Sequence, residues 1–323
     1  MMNQLQRRSF LAALALSSSS FATTAAASEY PGRTIELVVP FQAGGGTDAV
    51  ARSFSVAAQR SFPKGIVVIN KAGASGGIGW NYMMNAKPDG YTLGVVTVEM
   101  VILPHLNLFN RNYSDVTPIA QLNADPASIV VRTDSPYKTL DDFIAAARKE
   151  PGKFSMGTAG NGSIYDIAAA AFEEKTGLQF NRIPYQGAAP SILSLLGSQI
   201  EAVTASPGEV ATYVAAGKLR ILGVMAEKRL SEFKDVPTMK EKNIDVVIGT
   251  WRGIMGPKGL PPHVVRMLKT SVAEIVKDPE FQTTLKKLNL GFVYADDEGF
   301  KTVMERDNEI FRKLIPRLKI ATN

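Results

Sequence analysis

The chain contains no cysteine. Disulfides, thiolate metal sites and cysteine nucleophiles are therefore excluded. Only two histidines occur, His105 and His263, which excludes a multi-histidine zinc centre. Beyond residue 27 no apolar run reaches the roughly 18 residues that a membrane-spanning helix needs. Excess charge of one sign is small as well. Lys and Arg number 36 against 30 Asp and Glu, and two of the positives, Arg7 and Arg8, lie in a leader described below. The remaining 34 against 30 would help attract a small anion and is weak support for nucleic-acid binding.

What is present is an ordinary globular balance. Of 323 residues, 45% are hydrophobic and 20% charged. That composition can build large cores, and the length suits about two domains at roughly 100–200 residues each. At the N-terminus, Arg7-Arg8-Ser9-Phe10-Leu11 leads into the short apolar run Leu11 to Leu16, then serines, then Ala25-Ala26-Ala27. This order of basic, apolar and small residues reads as a secretory signal over residues 1–27, of Tat or Sec type, cleaved near Ala27. The expected location is the periplasm, where an exported chain without cysteine is at home.

Strand-like runs alternate with helical patterns, which predicts α/β layers with mostly parallel sheet. Thr34 to Val39, Ile66 to Ile69 and Tyr91 to Val96 read as strands, and Asp48 to Phe62 as a helix. The middle repeats this style. Ile129 to Val131 and Phe154 to Thr158 read as strands. Thr139 and Ser163 open amphipathic helices, and Gly177 suits the end of the second. The last third carries helical patterns over Pro262 to Lys277, Pro279 to Leu288 and Asp297 to Leu318.

Two glycine loops carry the chemistry. Phe41-Gln42-Ala43-Gly44-Gly45-Gly46-Thr47-Asp48 lies between a strand and a helix. Its glycines permit close backbone approach and positive φ, expected at Gly44 and Gly45. Free N–H groups at a helix start form an anion-binding concavity. The spacing fits neither the dinucleotide nor the P-loop fingerprint. Asp48 also suits a plain first-turn acid. Thr158-Ala159-Gly160-Asn161-Gly162-Ser163 is a second loop of the same kind. One loop in each half suggests two α/β lobes aiming helix N-termini at one cleft, a setting for a carboxylate. Charge-assisted hydrogen bonds contribute roughly 1.5–3 kcal/mol each, so four or five reach micromolar affinity after association costs. A third cluster, Gly73-Ala74-Ser75-Gly76-Gly77, contains G-x-S-x-G and raises a rival reading as a secreted hydrolase with Ser75 as nucleophile. Its one downstream histidine, His263, sits in a Pro-Pro-His helix start and reads more simply as a surface residue.

Several motifs, in order along the chain, resemble those of the Bug proteins, the periplasmic substrate-binding proteins of tripartite tricarboxylate transporters (TctC-like). They are Tyr30 to Ile35, Val38-Val39-Pro40-Phe41, Gly44-Gly45, Asp48, Asn70, Gly73 to Gly77, Pro88 to Leu93, Gly160 to Ser163, Pro184 to Gly187, Ala216 to Arg220, Val236 to Thr238, Trp251-Arg252-Gly253 and Pro257. The resemblance implies a two-lobed Venus-flytrap fold with the ligand cleft between the lobes. Lobe one is expected over residues 28–122 plus 245–323 and lobe two over 123–244. It further implies no catalysis, no obligatory cofactor or metal, a monomer, and membrane permease subunits as partners. Carried over to this chain, the ligand carboxylate would meet Phe41, Gly44, Gly45, Gly46 and Asp48 on one side and Thr158, Gly160, Gly162 and Ser163 on the other. Ala74, Ser75, Thr97 and Ser206 would lie nearby. Asp166 and Gln186 stand where the family commonly has His and Lys, which weakens the case for a highly charged anion. Ser206-Pro207-Gly208-Glu209 and Trp251-Arg252-Gly253 look like the tricarboxylate branch. There Arg252 could clamp a second carboxylate, or else serve a surface or interlobe salt bridge. A ligand sensor presenting the same closed form to a signalling partner is the alternative among binding proteins.

Overall fold

The computed structural model describes residues 30–320, so the leader read at 1–27 lies outside the described residues. The first strand, β1 (Ile35–Val39), shows why the chain starts as it does. Ile35, Leu37, Val38 and Val39 are all at most 1% exposed, as expected for a strand covered by helices on both faces. It is followed by α1 (Gly46–Ala57), β2 (Ile66–Asn70), α2 (Gly77–Met84) and β3 (Thr92–Thr97). β1 pairs in parallel with both β2 and β3. Two long strands complete this sheet: β4 (Val116–Pro126) and, far along the chain, β10 (Gly249–Pro257). With β11 (Phe292–Asp296), the sheet order is β11-β4-β10-β3-β1-β2.

The second sheet follows the same plan. It holds β5 (Ser128–Arg132), β6 (Ser155–Thr158), β7 (Asn181–Pro184), β8 (Ala202–Ala205) and β9 (Leu219–Val224), in the order β7-β6-β8-β5-β9. β6 pairs in parallel with β7 and β8, and β5 runs antiparallel to β8 and β9. Its helices are α3 (Leu140–Lys149), α4 (Ile164–Thr176), α5 (Ala188–Leu196) and α6 (Pro207–Ala215). The closing helices α7 (Pro262–Ile275), α8 (Pro279–Lys287) and α9 (Asp297–Leu314) follow β10. The chain passes between sheets twice, from β4 into β5 and from β9 back to β10.

The sheets are mixed rather than mostly parallel. The sequence reading underweighted β4 and β10, whose prolines, glycines and polar residues look like loop. Gln121, Asn123, Asp125 and Arg252 on these strands are nevertheless buried. They hydrogen-bond to partners inside the molecule. In the helices, end signals matched. Thr139 accepts from the Asp142 N–H in a capping box, Ser163 accepts from the Asp166 N–H, and Gly177 closes α4 in a left-handed conformation.

Candidate functional site

The two parallel trios share one geometry. In β2-β1-β3, and again in β7-β6-β8, the chain leaves the central strand to one side and returns on the other. Ligands of open α/β sheets bind at such switch points, beyond the carboxyl ends of the strands. Both glycine loops lie there, after β1 and after β6, and the two ends face each other across one cleft.

Each loop first ties itself down with its own carboxylate. The Gly44 N–H donates to Asp48 Oδ2 at 3.0 Å, and Arg52 Nε donates to the same oxygen at 2.9 Å. Asn70 Nδ2 donates to Asp48 Oδ1 at 2.9 Å. Burial alone would raise the Asp48 carboxyl, but these bonds outweigh it and hold it below the ordinary aspartate value. In the second loop the Gly162 N–H donates to Asp166 Oδ2 at 2.9 Å, and Arg182 pairs with Asp166 at 2.9 Å. Here burial wins, and Asp166 lies above the ordinary value. Asp166 therefore has a local role: this acid caps its own loop.

The next donors are taken from across the cleft. The Gly46 N–H, at the start of α1, donates to Glu209 Oε1 at 2.9 Å. Glu209 belongs to α6 of the opposite lobe. The Ile164 N–H, at the start of α4, donates to Glu99 Oε1 at 3.0 Å. Glu99 follows β3 of the first lobe and also accepts from the Thr97 hydroxyl. Each lobe thus sets a carboxylate on the other lobe's helix N-terminus, where the helix dipole favours negative charge. Burial pushes Glu99 above the ordinary glutamate value.

Arg252 lies at the centre and is 2% exposed. β10 places it between β3 and β4, opposite Thr97 and Asn123. Its Nη1 donates to Asn123 Oδ1 at 2.5 Å and Asp125 Oδ2 at 2.7 Å. Nε donates to Thr47 at 3.1 Å, and Nη2 lies 3.5 Å from Glu209 Oε1. Of its two sequence readings, this arrangement matches the interlobe ion pair.

The structure brings Phe41, Gly45, Gly46, Asp48, Thr97 and Arg252 together around one small cavity of about 20 Å³, room for about one water. Ala74, Ser75 and Gly160 line a neighbouring opening of about 300 Å³ between the lobes. Thr158, Ser163 and Ser206 are at most 1% exposed and sit behind the loops. Ser206 donates from both N–H and hydroxyl to Glu209 Oε2, at 3.1 Å each. Gly44 has φ +91, as expected, but Gly45 is extended at φ −85. Within the first loop the glycine with no room is Gly46. A Cβ there would lie 2.7 Å from Arg252 Nη2 and 2.9 Å from Glu209 Oε1.

Sequence reasoning did not single out Glu99, Tyr165 or Asp125. Glu99 had a signal, a lone acid inside the apolar run Val95 to Ile102. Glu209 was legible as the fourth residue of a capping box, though not as a cleft residue. Ser75, at φ +49, donates its hydroxyl to Asn161 O at 2.7 Å. His263 is exposed in the first turn of α7, and His105 bonds Asn308. Neither is placed as a base for Ser75.

The family model described as "Tripartite tricarboxylate transporter family receptor" matches residues 50–319. A Cupriavidus necator protein encoded in the gbd 5′ region is 31% identical over 98% of this chain and 99% of its own. Among solved structures, a TctC solute-binding protein from Polaromonas is 47% identical, covers 90% of this chain and 100% of its own, and superposes with a TM-score of 0.65. The periplasmic binding protein BugD is 30% identical over 89% of this chain and 98% of its own, yet superposes better, at 0.86.

Proposed function

Because the chain belongs to the tripartite tricarboxylate transporter receptor family, we propose that it is an extracytoplasmic solute receptor for a small organic carboxylate. A dicarboxylate or tricarboxylate is the first choice, delivered to the membrane permease subunits of such a transporter. One observation carries this reading. Two helix N-termini meet across the cleft, and the N–H groups of both already hold carboxylate oxygens, those of Glu209 and Glu99. A site that accommodates two buried carboxylates of its own has the donors to receive a carboxylate ligand.

Lobe one is taken as residues 28–122 plus 245–323 and lobe two as 123–244; the division of strands between two sheets supports two lobes, with β4 carrying the first sheet on to Pro126. Ligand enters by hinge opening at the two inter-sheet connections. The weaker superposition on the more similar Polaromonas chain supports a variable lobe angle. The contact set is Phe41 to Asp48 from one loop, Gly160 to Ser163 from the other, Thr97 at the centre, and Ala74 and Ser75 at the rim. Release of the leader leaves a mature chain starting near Ser28.

A thermal-shift screen and calorimetry against monocarboxylates, malate, adipate, citrate, amino acids and aromatic acids test the reading. Saturable binding of a carboxylate without turnover is the expected result, with about 2.7 kcal/mol of added stability at 100 Kd. No shift with any carboxylate would overturn it. N-terminal sequencing of exported protein tests the address, and an intact Met1 in the cytoplasm would refute it.

A further inference from the structure

The geometry points to Glu209 as the residue that sets this receptor's selectivity. It occupies the place of a ligand carboxylate on the lobe-one loop, so that a carboxylate ligand must displace it. This inference rests on the carboxylate-receptor reading above.

Glu209 is built for both tasks. One oxygen, Oε2, is held within its own lobe by the Ser206 N–H and hydroxyl and by the Tyr165 hydroxyl at 2.5 Å. The other, Oε1, crosses the cleft to the Gly46 N–H at 2.9 Å and lies 3.5 Å from Arg252 Nη2. These are the donors a ligand carboxylate would use: a loop amide at a helix N-terminus and a guanidinium edge. The internal carboxylate needs no association entropy, so it competes at high effective concentration. Glu99 mirrors it on the Ile164 N–H. With both in place the remaining cavity is about 20 Å³, too small for a dicarboxylate. Once displaced, Glu209 stays anchored beside the loop by Ser206 and Tyr165. Its charge then discriminates against ligands of higher negative charge.

Glu209→Gln is the decisive variant, because Gln can still serve in the α6 capping box. Calorimetry with malate and citrate reads the competition. The lobe angle is read from the distance between spin labels on Val56→Cys and Leu193→Cys, both exposed, in a chain with no other cysteine. The expected result is malate binding at least tenfold tighter than in wild type, a larger gain for citrate, and a longer interlobe distance before any ligand is added. Unchanged or weaker malate binding together with an unchanged distance would overturn the inference, while wild-type binding of malate would leave the receptor reading standing. Tighter binding only of amino acids in wild type, lost in Glu209→Gln, would overturn it too, by making Glu209 a partner for a ligand ammonium. If wild type binds neither acid, the competition is read with whichever carboxylate the screen identifies, and the receptor reading fails only if none binds. The interlobe distance then decides the latch: lengthening supports it and no change overturns it.

Discussion

At the scale of single residues, adjacent glycines in the first loop have different duties. Gly45 is extended, and a Cβ on it would find its nearest neighbours at 3.8 Å, so Gly45→Ala should bind ligand like wild type. Gly46→Ala places a methyl against Arg252 and Glu209. It should weaken carboxylate binding by about tenfold or more, roughly 1.4 kcal/mol, and cost about 1–3 kcal/mol of stability as overpacking against the buried Arg252 side chain. Equal affinities for the two variants would refute the assignment. Arg252→Ala removes the cation from between buried Asp125 and Glu209. A loss of about 3–5 kcal/mol in urea unfolding is expected, as when one partner of a buried pair is deleted. Glu99 carries a pH signature. Its carboxyl sits above the ordinary value, so folding takes up a proton between the unfolded pKa, near 4.3, and the folded one. The sign follows: the stability contribution of this group falls as pH rises through that window. Glu99→Gln, which still offers an acceptor to the Ile164 N–H, should therefore melt above wild type at pH 8, with the gap closing toward pH 4. A gap that stays constant with pH would contradict this.

At the scale of elements, helix ends were readable and strand membership was not. Ser163 and Thr139 announce their helices by local chemistry, a short side-chain oxygen before an apolar periodicity. Ser163→Ala should cost about 1 kcal/mol in thermal or urea unfolding, because it removes the acceptor for the Asp166 N–H. β4 and β10 hid because alternation of polar and apolar residues was broken by Pro118, Gly253 and two register shifts. Their polar side chains point to partners supplied from distant parts of the chain, which no local pattern encodes. Arg252 shows the difference. Its motif drew notice in the sequence, but that it fills its hydrogen bonds with Thr47, Asn123 and Asp125 depends on two other segments, the start of α1 and strand β4, arriving beside it.

At the scale of the whole molecule, the two lobes meet through contacts that must separate for ligand to enter. Beside the Glu209 and Glu99 bonds, Ser75 donates to Asn161 O, and the Gln42 N–H donates to Gln186 O at 3.2 Å. A covalent lock tests whether opening is required. A Cβ at Gly44 would lie 3.9 Å from Cβ of Ala189, within the range a disulfide spans, with a strain at positive φ of roughly 1–3 kcal/mol. Oxidised Gly44→Cys/Ala189→Cys should take up no malate in calorimetry, and reduction should restore binding. Malate affinity that is the same oxidised and reduced would show that the closed cleft is not a barrier.

The sequence by itself determined the α/β class, the two strand–glycine–helix units, the caps of α3 and α4, and the family, because each is written in residues near one another in the chain. The glycine spacing pointed to the Gly46 amide at the start of α1, but the Ile164 amide at the start of α4 was not singled out. Only the tertiary structure decided what those donors hold. Glu209 and Gly46 are 163 residues apart, and Glu99 and Ile164 are 65 apart. Their meeting depends on how two separately built lobes close on each other. Charge burial at that meeting is compensated by distant partners, and a linear pattern records the charges without recording the pairing.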